Sequence, residues 1–150
     1  MVADGGKVLL LDSEKALKEI YPEYITGWFV PSEVDISNME IPESPVFNGI
    51  EPLELRYFNN NKREVPTVCK VALHIVRNEH VIPLASHMKI HAYITGDMPE
   101  RQKYIESIKG FTILKINDHG TALISSMADE KSLTDPVAGK LLSNMILSLY

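Results

Sequence analysis

The sequence predicts a layered α/β domain, a sheet with flanking helices that ends in a β-hairpin and a C-terminal amphipathic helix. Three observations predict it. Apolar runs of strand length recur along the chain, at residues 7–11, 68–76 and 111–116. Asn117-Asp118-His119-Gly120 separates two strand-like segments, a good hairpin signal. Asp135-Pro136 then opens a segment in which Val137, Ala138, Leu141, Leu142, Met145, Ile146 and Leu149 fall on one helical stripe.

With 150 residues, residues 1–150 are read as a single domain long enough to bury a real core. A composition of 45% hydrophobic and 23% charged residues disfavours disordered and fibrous classes. The net charge is −5, and no basic run is longer than Lys62-Arg63, so neither nucleic acid nor an anionic membrane is expected as a partner. The apolar runs fall far short of the roughly 20 residues that span a bilayer. Residues 1–6 lack a basic region followed by an apolar run, so the chain shows no signal peptide.

In chain order, residues 7–11 read as a strand covered on both faces, because the run is continuously apolar. Gly5-Gly6 before it would suit the C-terminal stop of a preceding helix. Residues 13–20 read as a short helix, capped by Asp12 or Ser13 and closed by Pro22. Four prolines break residues 21–45, with one short strand expected at 24–30. Residues 44–50 are a turn-rich link. Residues 51–58 read as a two-turn helix with Pro52 in its first turn, and Asn59-Asn60-Asn61 marks a loop.

Residues 68–76 form the second apolar strand, and 80–83 is a turn candidate. Residues 86–94 alternate, with Met88, Ile90, Ala92 and Ile94 on one face and His87, Lys89, His91 and Tyr93 on the other, the period of a half-exposed strand. Residues 97–110 read either as a helix capped by Asp97 or as an extended lead into the hairpin. The hairpin strands are 111–116 and 121–126.

The residues that carry chemistry are sparse. His87 and His91 have the spacing of a helical zinc pair. On a strand, residues four apart lie roughly 13 Å from each other, too far to share one metal, so no metal is expected there. His74, His80 and His119 have no supporting cluster. Glu51 and Glu54 share a helix face but read as solvent-facing rather than as the opposed carboxylates of a glycosidase. Nucleophile elbows and glycine-rich phosphate loops are absent from the sequence, and no cofactor is expected. Cys69, the single cysteine, rules out an internal disulfide and reads as a buried thiol, with nothing near it in sequence to lower its pKa. Trp28, with Tyr21, Tyr24 and Phe29, is the one aromatic cluster, and core or interface packing is its simplest role. Trp28 and Tyr24 are also the candidate contacts for a carbohydrate ring.

Two stretches of the chain resemble a known family. Ser44-Pro45-Val46-Phe47-Asn48-Gly49-Ile50, followed by Leu53-Glu54-Leu55-Arg56-Tyr57-Phe58-Asn59, resembles the "His-Pro-hydrophobic-x-Gly-Leu … Asp-Leu-Arg-x-Trp-Asn" signature. That signature belongs to glutamine-amidotransferase-like domains carried by large bacterial glycoside hydrolases of the β-galactosidase and family 2-like kind. Gly120-Thr-Ala-Leu-Ile-Ser-Ser126 and Asp135-Pro136-Val137-Ala138-x-x-Leu141-Leu142-x-Asn144 are similar to its ending, "Gly-Arg-Val-Val-Leu-Ser-Gln … Asp-Pro-x-Ala-x-x-Leu-Leu-x-Asn". Ser44 stands where the family has His, Glu54 where it has Asp, and Phe58 where it has Trp.

The resemblance implies a flavodoxin-type layer that has lost the amidotransferase triad and serves as a non-catalytic accessory or subunit-contact module. It implies that this chain is the later part of a larger domain, and that the parent's catalytic carboxylates lie in a separate barrel. Its expected partners are other domains of a periplasmic or extracellular parent, or a second copy in a homo-oligomer. A carbohydrate module built on Trp28 and a stand-alone amidotransferase using Cys69 are the alternatives.

Overall fold

The computed structural model describes residues 4–11, 18–30, 36–57, 69–88, 99, 109–127 and 129–150. The helices proposed at 13–20 and 97–110 and the loop at 59–61 lie largely or wholly outside them; of these, residues 18–20 and 99 are helical. Seven strands form one mixed sheet: β1 (Lys7–Leu11), β2 (Ile25–Phe29), β3 (Ile36–Met39), β4 (Ala72–Ile75), β5 (Val81–Met88), β6 (Lys109–Asp118) and β7 (Gly120–Ser125). Helices α1 (Pro52–Tyr57) and α2 (Pro136–Leu147) and 3-10 turns at Pro45–Phe47 and Asp129–Leu133 complete the described elements. The layered α/β class, the final hairpin and the C-terminal helix are therefore all present.

The long strand β6 organises the sheet. Along one edge it pairs antiparallel with β5, from Met88↔Lys109 to Val81↔Ile116. Its other edge is shared, with β7 taking Ile113 to Asp118 and β4 meeting it at Leu73↔Phe111. Ser126 joins the two tenants of that edge. Its N–H donates to Thr112 O at 2.9 Å, its hydroxyl donates to Val71 O at 2.6 Å, and its carbonyl accepts from Lys70 N–H at 2.8 Å. Parallel pairing occurs only between β1 and β7 among the described strands, whereas a flavodoxin-type layer is parallel throughout.

β1 has apolar residues on both faces, as its sequence suggests: Leu9 packs on one core cluster and Val8 and Leu10 on the other. It pairs with β7 alone among the described strands, and its residues are half-buried rather than fully covered. Gly5-Gly6 precedes it as a turn rather than a helix stop. Gly5 takes φ +72°, and its N–H donates to His119 O at 2.8 Å. His119 itself adopts φ 57° at the hairpin tip, the left-handed geometry that a tight turn demands.

The sheet is covered on both faces. On one, α2 lays Ala138, Leu141 and Met145 over Leu84, Ile113 and Leu123, joined by Val46, Phe47, Ile50 and Leu55. On the other, Tyr21, Tyr24 and Ile25 pack with Leu73, Leu114, Ile116 and Ile124. Asp135 caps α2 as its sequence predicts, its Oδ1 accepting from Val137 N–H at 2.8 Å and Ala138 N–H at 3.1 Å, with Pro136 in the first turn.

The alternation at 86–94 does not produce a half-exposed strand where it is described. Leu84, Ala85, Ser86 and His87 are buried in succession. β5 lies between β3 and β6, and the register shifts between Pro83 and Ala85 and again between Ala85 and Ser86. These irregularities break the period of two, and core clusters on both faces of the sheet leave no open face here.

Candidate functional site

The two segments that carry the family resemblance meet in space. Ser44 caps the Pro45–Phe47 turn, its hydroxyl accepting from Val46 N–H, and Phe47 and Val46 are buried beneath α2. One turn before the end of α2, Asn144 Nδ2 donates to Val46 O at 3.1 Å and Asn48 O at 2.9 Å. Lys140, one turn earlier, donates its ammonium to Gly49 O. Gly49 has φ +66°, the left-handed region that favours glycine, while a Cβ there would displace only the flexible end of Lys140. In α1, Glu54 reaches back to accept from Glu51 N–H at 2.8 Å, satisfying an orphan donor of the first turn. Ser44, Glu54 and Asn144 of the signature are thus engaged with backbone.

Beside this clamp a groove of about 350 Å³ opens between the sheet and the turn at 41–46. Its walls are Ile41, Pro45, Val46, Ile82, Leu84, Leu123 and Leu149, and its polar margin comprises Glu43, Ser44, Lys115, Thr121 and Ser148. The hydroxyls are committed locally: Ser148 donates to Met145 O at 2.8 Å, and Thr121 to Asn117 Oδ1 at 3.3 Å. Lys115 comes from the middle of β6, paired with Ile82 on one side and Leu123 on the other. No local pattern announces this groove, because its lining comes from three strands, the turn at 41–46 and the residues after α2, all far apart in the chain.

A charged cluster ties β5 and β6 to the end of β3. The Ser86 hydroxyl donates to Glu40 Oε1, and Lys109 Nζ sits 2.8 Å from Oε1 and 2.9 Å from Oε2. Burial alone would raise the Glu40 pKa. Lys109 and Ser86 as hydrogen-bond donors, with the positive charges of Lys109 and Arg77, outweigh it and hold the carboxyl below its ordinary value. Between β3 and β5, Ser37 Oγ and His87 Nδ1 lie 2.9 Å apart, both residues fully buried.

The aromatic cluster divides. Tyr21 and Tyr24 stack with centroids 6.1 Å apart in the core, and Tyr24 donates its hydroxyl to Asp118 Oδ2 at 3.1 Å. Burial first, and then the Asp118 carboxylate, raise the Tyr24 pKa, so its hydroxyl stays a donor. Trp28 is 39% exposed on β2 with the Lys18 ammonium 5.6 Å from its ring centroid, while Phe29 lies against His74. The two candidate sugar contacts therefore sit in different settings, Trp28 at the surface and Tyr24 within the core.

Cys69 is 1% exposed and bridges to Met127. His91 lies outside the described residues. His80 Nδ1 is 3.0 Å from Asn117 O, and His119 lies 3.4 Å from Asp4 and 3.6 Å from Asp118. Among the described residues no three His, Cys, Asp or Glu side chains converge on a metal position, and no helix is long and apolar enough to cross a membrane. The chain matches no protein-family model, no curated protein and no solved structure.

Proposed function

We propose that this chain is a non-catalytic accessory domain of a glycoside hydrolase, where it supports contacts between domains or subunits. The observation that carries the reading is the docking of the two signature segments on one another. Residues 96 and 98 apart are joined by one asparagine donating to two carbonyls, and Ser44, Glu54 and Asn144 of the two motifs serve backbone geometry. A motif whose side chains hold a turn against a helix specifies a scaffold, and the chemistry of the parent enzyme then belongs to another domain.

Two measurements test this. The open reading frame upstream of residue 1 is expected to encode a barrel-type hydrolase domain; an unrelated reading frame there overturns the proposal. The purified chain is expected to leave nitrophenyl glycosides uncleaved, and turnover near the common enzyme range of about 1 s⁻¹ or faster would refute it.

Trp28 supports a second reading, a carbohydrate-binding module, because its ring is part-exposed on a strand. Trp fluorescence titrated with galactosides and plant oligosaccharides distinguishes the two. A flat response across the panel removes the binding module. The amidotransferase alternative needs an accessible thiolate at Cys69, and modification by iodoacetamide no faster than a model thiol would leave it without support.

A further inference from the structure

The groove beside the signature clamp has a feature that packing does not account for. Lys115 stands at the centre of the sheet, on the face that carries Ile82 and Leu123, and its ammonium makes no hydrogen bond or ion pair with a described residue. Two other lysines are engaged: Lys109 with Glu40, Lys140 with Gly49 O. A lysine stem laid over aliphatic side chains is ordinary. An uncompensated ammonium at the margin of an apolar groove supplies one fixed positive charge to whatever enters.

From this we infer that the groove binds a small amphiphilic monocarboxylate, with its carboxylate on Lys115 Nζ and its apolar body along Ile82, Leu84, Leu123 and Leu149. Three observations converge on that class. The walls are aliphatic, with no aromatic ring to stack on a sugar face. The volume, about 350 Å³, is roughly twice that of an apolar cavity of about 150 Å³ that holds benzene, so it has room for on the order of ten carbons. Glu43 stands on the margin without a partner of its own and more than an ion-pair distance from Lys115, so a second negative charge on the ligand is repelled. This goes beyond the accessory-domain reading and does not depend on it.

The test is a titration of the 15N-labelled chain with octanoate, 1-octanol and the dianion suberate, read by amide shifts and calorimetry. Octanoate is expected to shift the amides of Ile82, Lys115, Leu123 and Leu149. 1-Octanol is expected to bind at least about tenfold more weakly, as the loss of a charge-assisted pair implies, and suberate is expected to bind more weakly than octanoate because its second carboxylate meets Glu43. Lys115→Met should weaken octanoate about tenfold, and Lys115→Arg should restore it. If Lys115→Met does not fold, Glu43→Gln reads the same site, and it should narrow the gap between octanoate and suberate. The inference is overturned if octanol matches octanoate, if Lys115→Met or Glu43→Gln changes nothing, or if octanoate at about 10 mM leaves the groove amides unmoved. The last result would point instead to a protein segment as the occupant.

Discussion

Around α2, segments almost a hundred residues apart are joined by apolar burial and by the Asn144 amide and the Lys140 ammonium aimed at carbonyls, whereas the wing of β3, β5 and β6 is tied by a carboxylate paired with a hydroxyl and an ammonium. Leu141 and Met145 are at most 1% exposed beneath the first junction, and Asn144 closes it over Val46 and Asn48. At the second, Glu40 gathers Ser86 from β5 and Lys109 from β6. The first junction draws its stability mainly from surface removed from water and holds no carboxylate–ammonium pair among the described residues. The second depends on charge, so salt and acid weaken it. Stability should therefore be distributed unevenly, with the α2 face the more costly to disturb.

The largest effect is expected at Leu141. Its replacement by Ala empties a site in the middle of the α2 face, and losses of about 2–5 kcal/mol are typical of such changes. Denaturant unfolding should show a lower midpoint with an unchanged slope. A loss below about 1 kcal/mol would mean that the α2 face is loosely packed, and the contrast between the junctions would collapse.

Next is Asn144→Ala, which leaves Val46 O and Asn48 O without their donor. A loss of about 1–2 kcal/mol is expected, because Val46 O is partly buried while Asn48 O is exposed and can be met by water. Amide hydrogen exchange should rise in residues 45–50 while β6 and β7 keep their protection. Uniform loss of protection would show that the clamp is inseparable from the core.

These two junctions also differ in how much of each can be read from sequence. The α2 helix is legible because its determinants are local: Asp135 as cap, Pro136 in the first turn and a stripe at helical spacing. So is the hairpin, whose turn lies within four residues. The Glu40 cluster is not, because its members are 46 and 69 residues from Glu40 and nothing in their local pattern pairs them. The same holds for Lys115, which looks like a solvent-facing strand residue until β5 and β7 are placed beside it. His87 misleads for a related reason: alternation assigns it to the open face, and the bulges around Ala85 turn it inward. Local signals give the elements and the caps, while sheet order and every polar cluster that depends on it arise from pairing between distant strands.

A smaller effect is expected at Asp135, where Ala removes the acceptor for Val137 N–H and Ala138 N–H at the start of α2. The loss should be about 1 kcal/mol, measured by thermal or chemical unfolding. Gly at the same position should cost only a few tenths, because it keeps the backbone geometry of a cap. Equal losses for Ala and Gly would show that the side-chain oxygen, and not the conformation, sets the cap's worth.

The smallest effect distinguishes the junctions most sharply. Glu40 is titratable with a folded pKa held below its ordinary value of 4.5. A carboxyl depressed on folding contributes stability that is present above its unfolded pKa and is lost as pH falls through the folded pKa. Glu40→Gln keeps an acceptor for Ser86 but removes the charge facing Lys109. At pH 7 the substitution should cost a few tenths to about 1 kcal/mol, since the pair is partly exposed to solvent. Below about pH 4.5 the difference between the two proteins should shrink, because the wild-type carboxyl is itself becoming neutral. Added salt at pH 7 should narrow the same gap, whereas it should leave the cost of Leu141→Ala and Asn144→Ala in place. Unfolding curves for all three variants at two pH values and two salt concentrations make the comparison direct. A gap for Glu40→Gln that is constant from pH 7 to pH 3.5 would mean the cluster works as a neutral hydrogen-bond network, and the two junctions would then differ in position but not in kind.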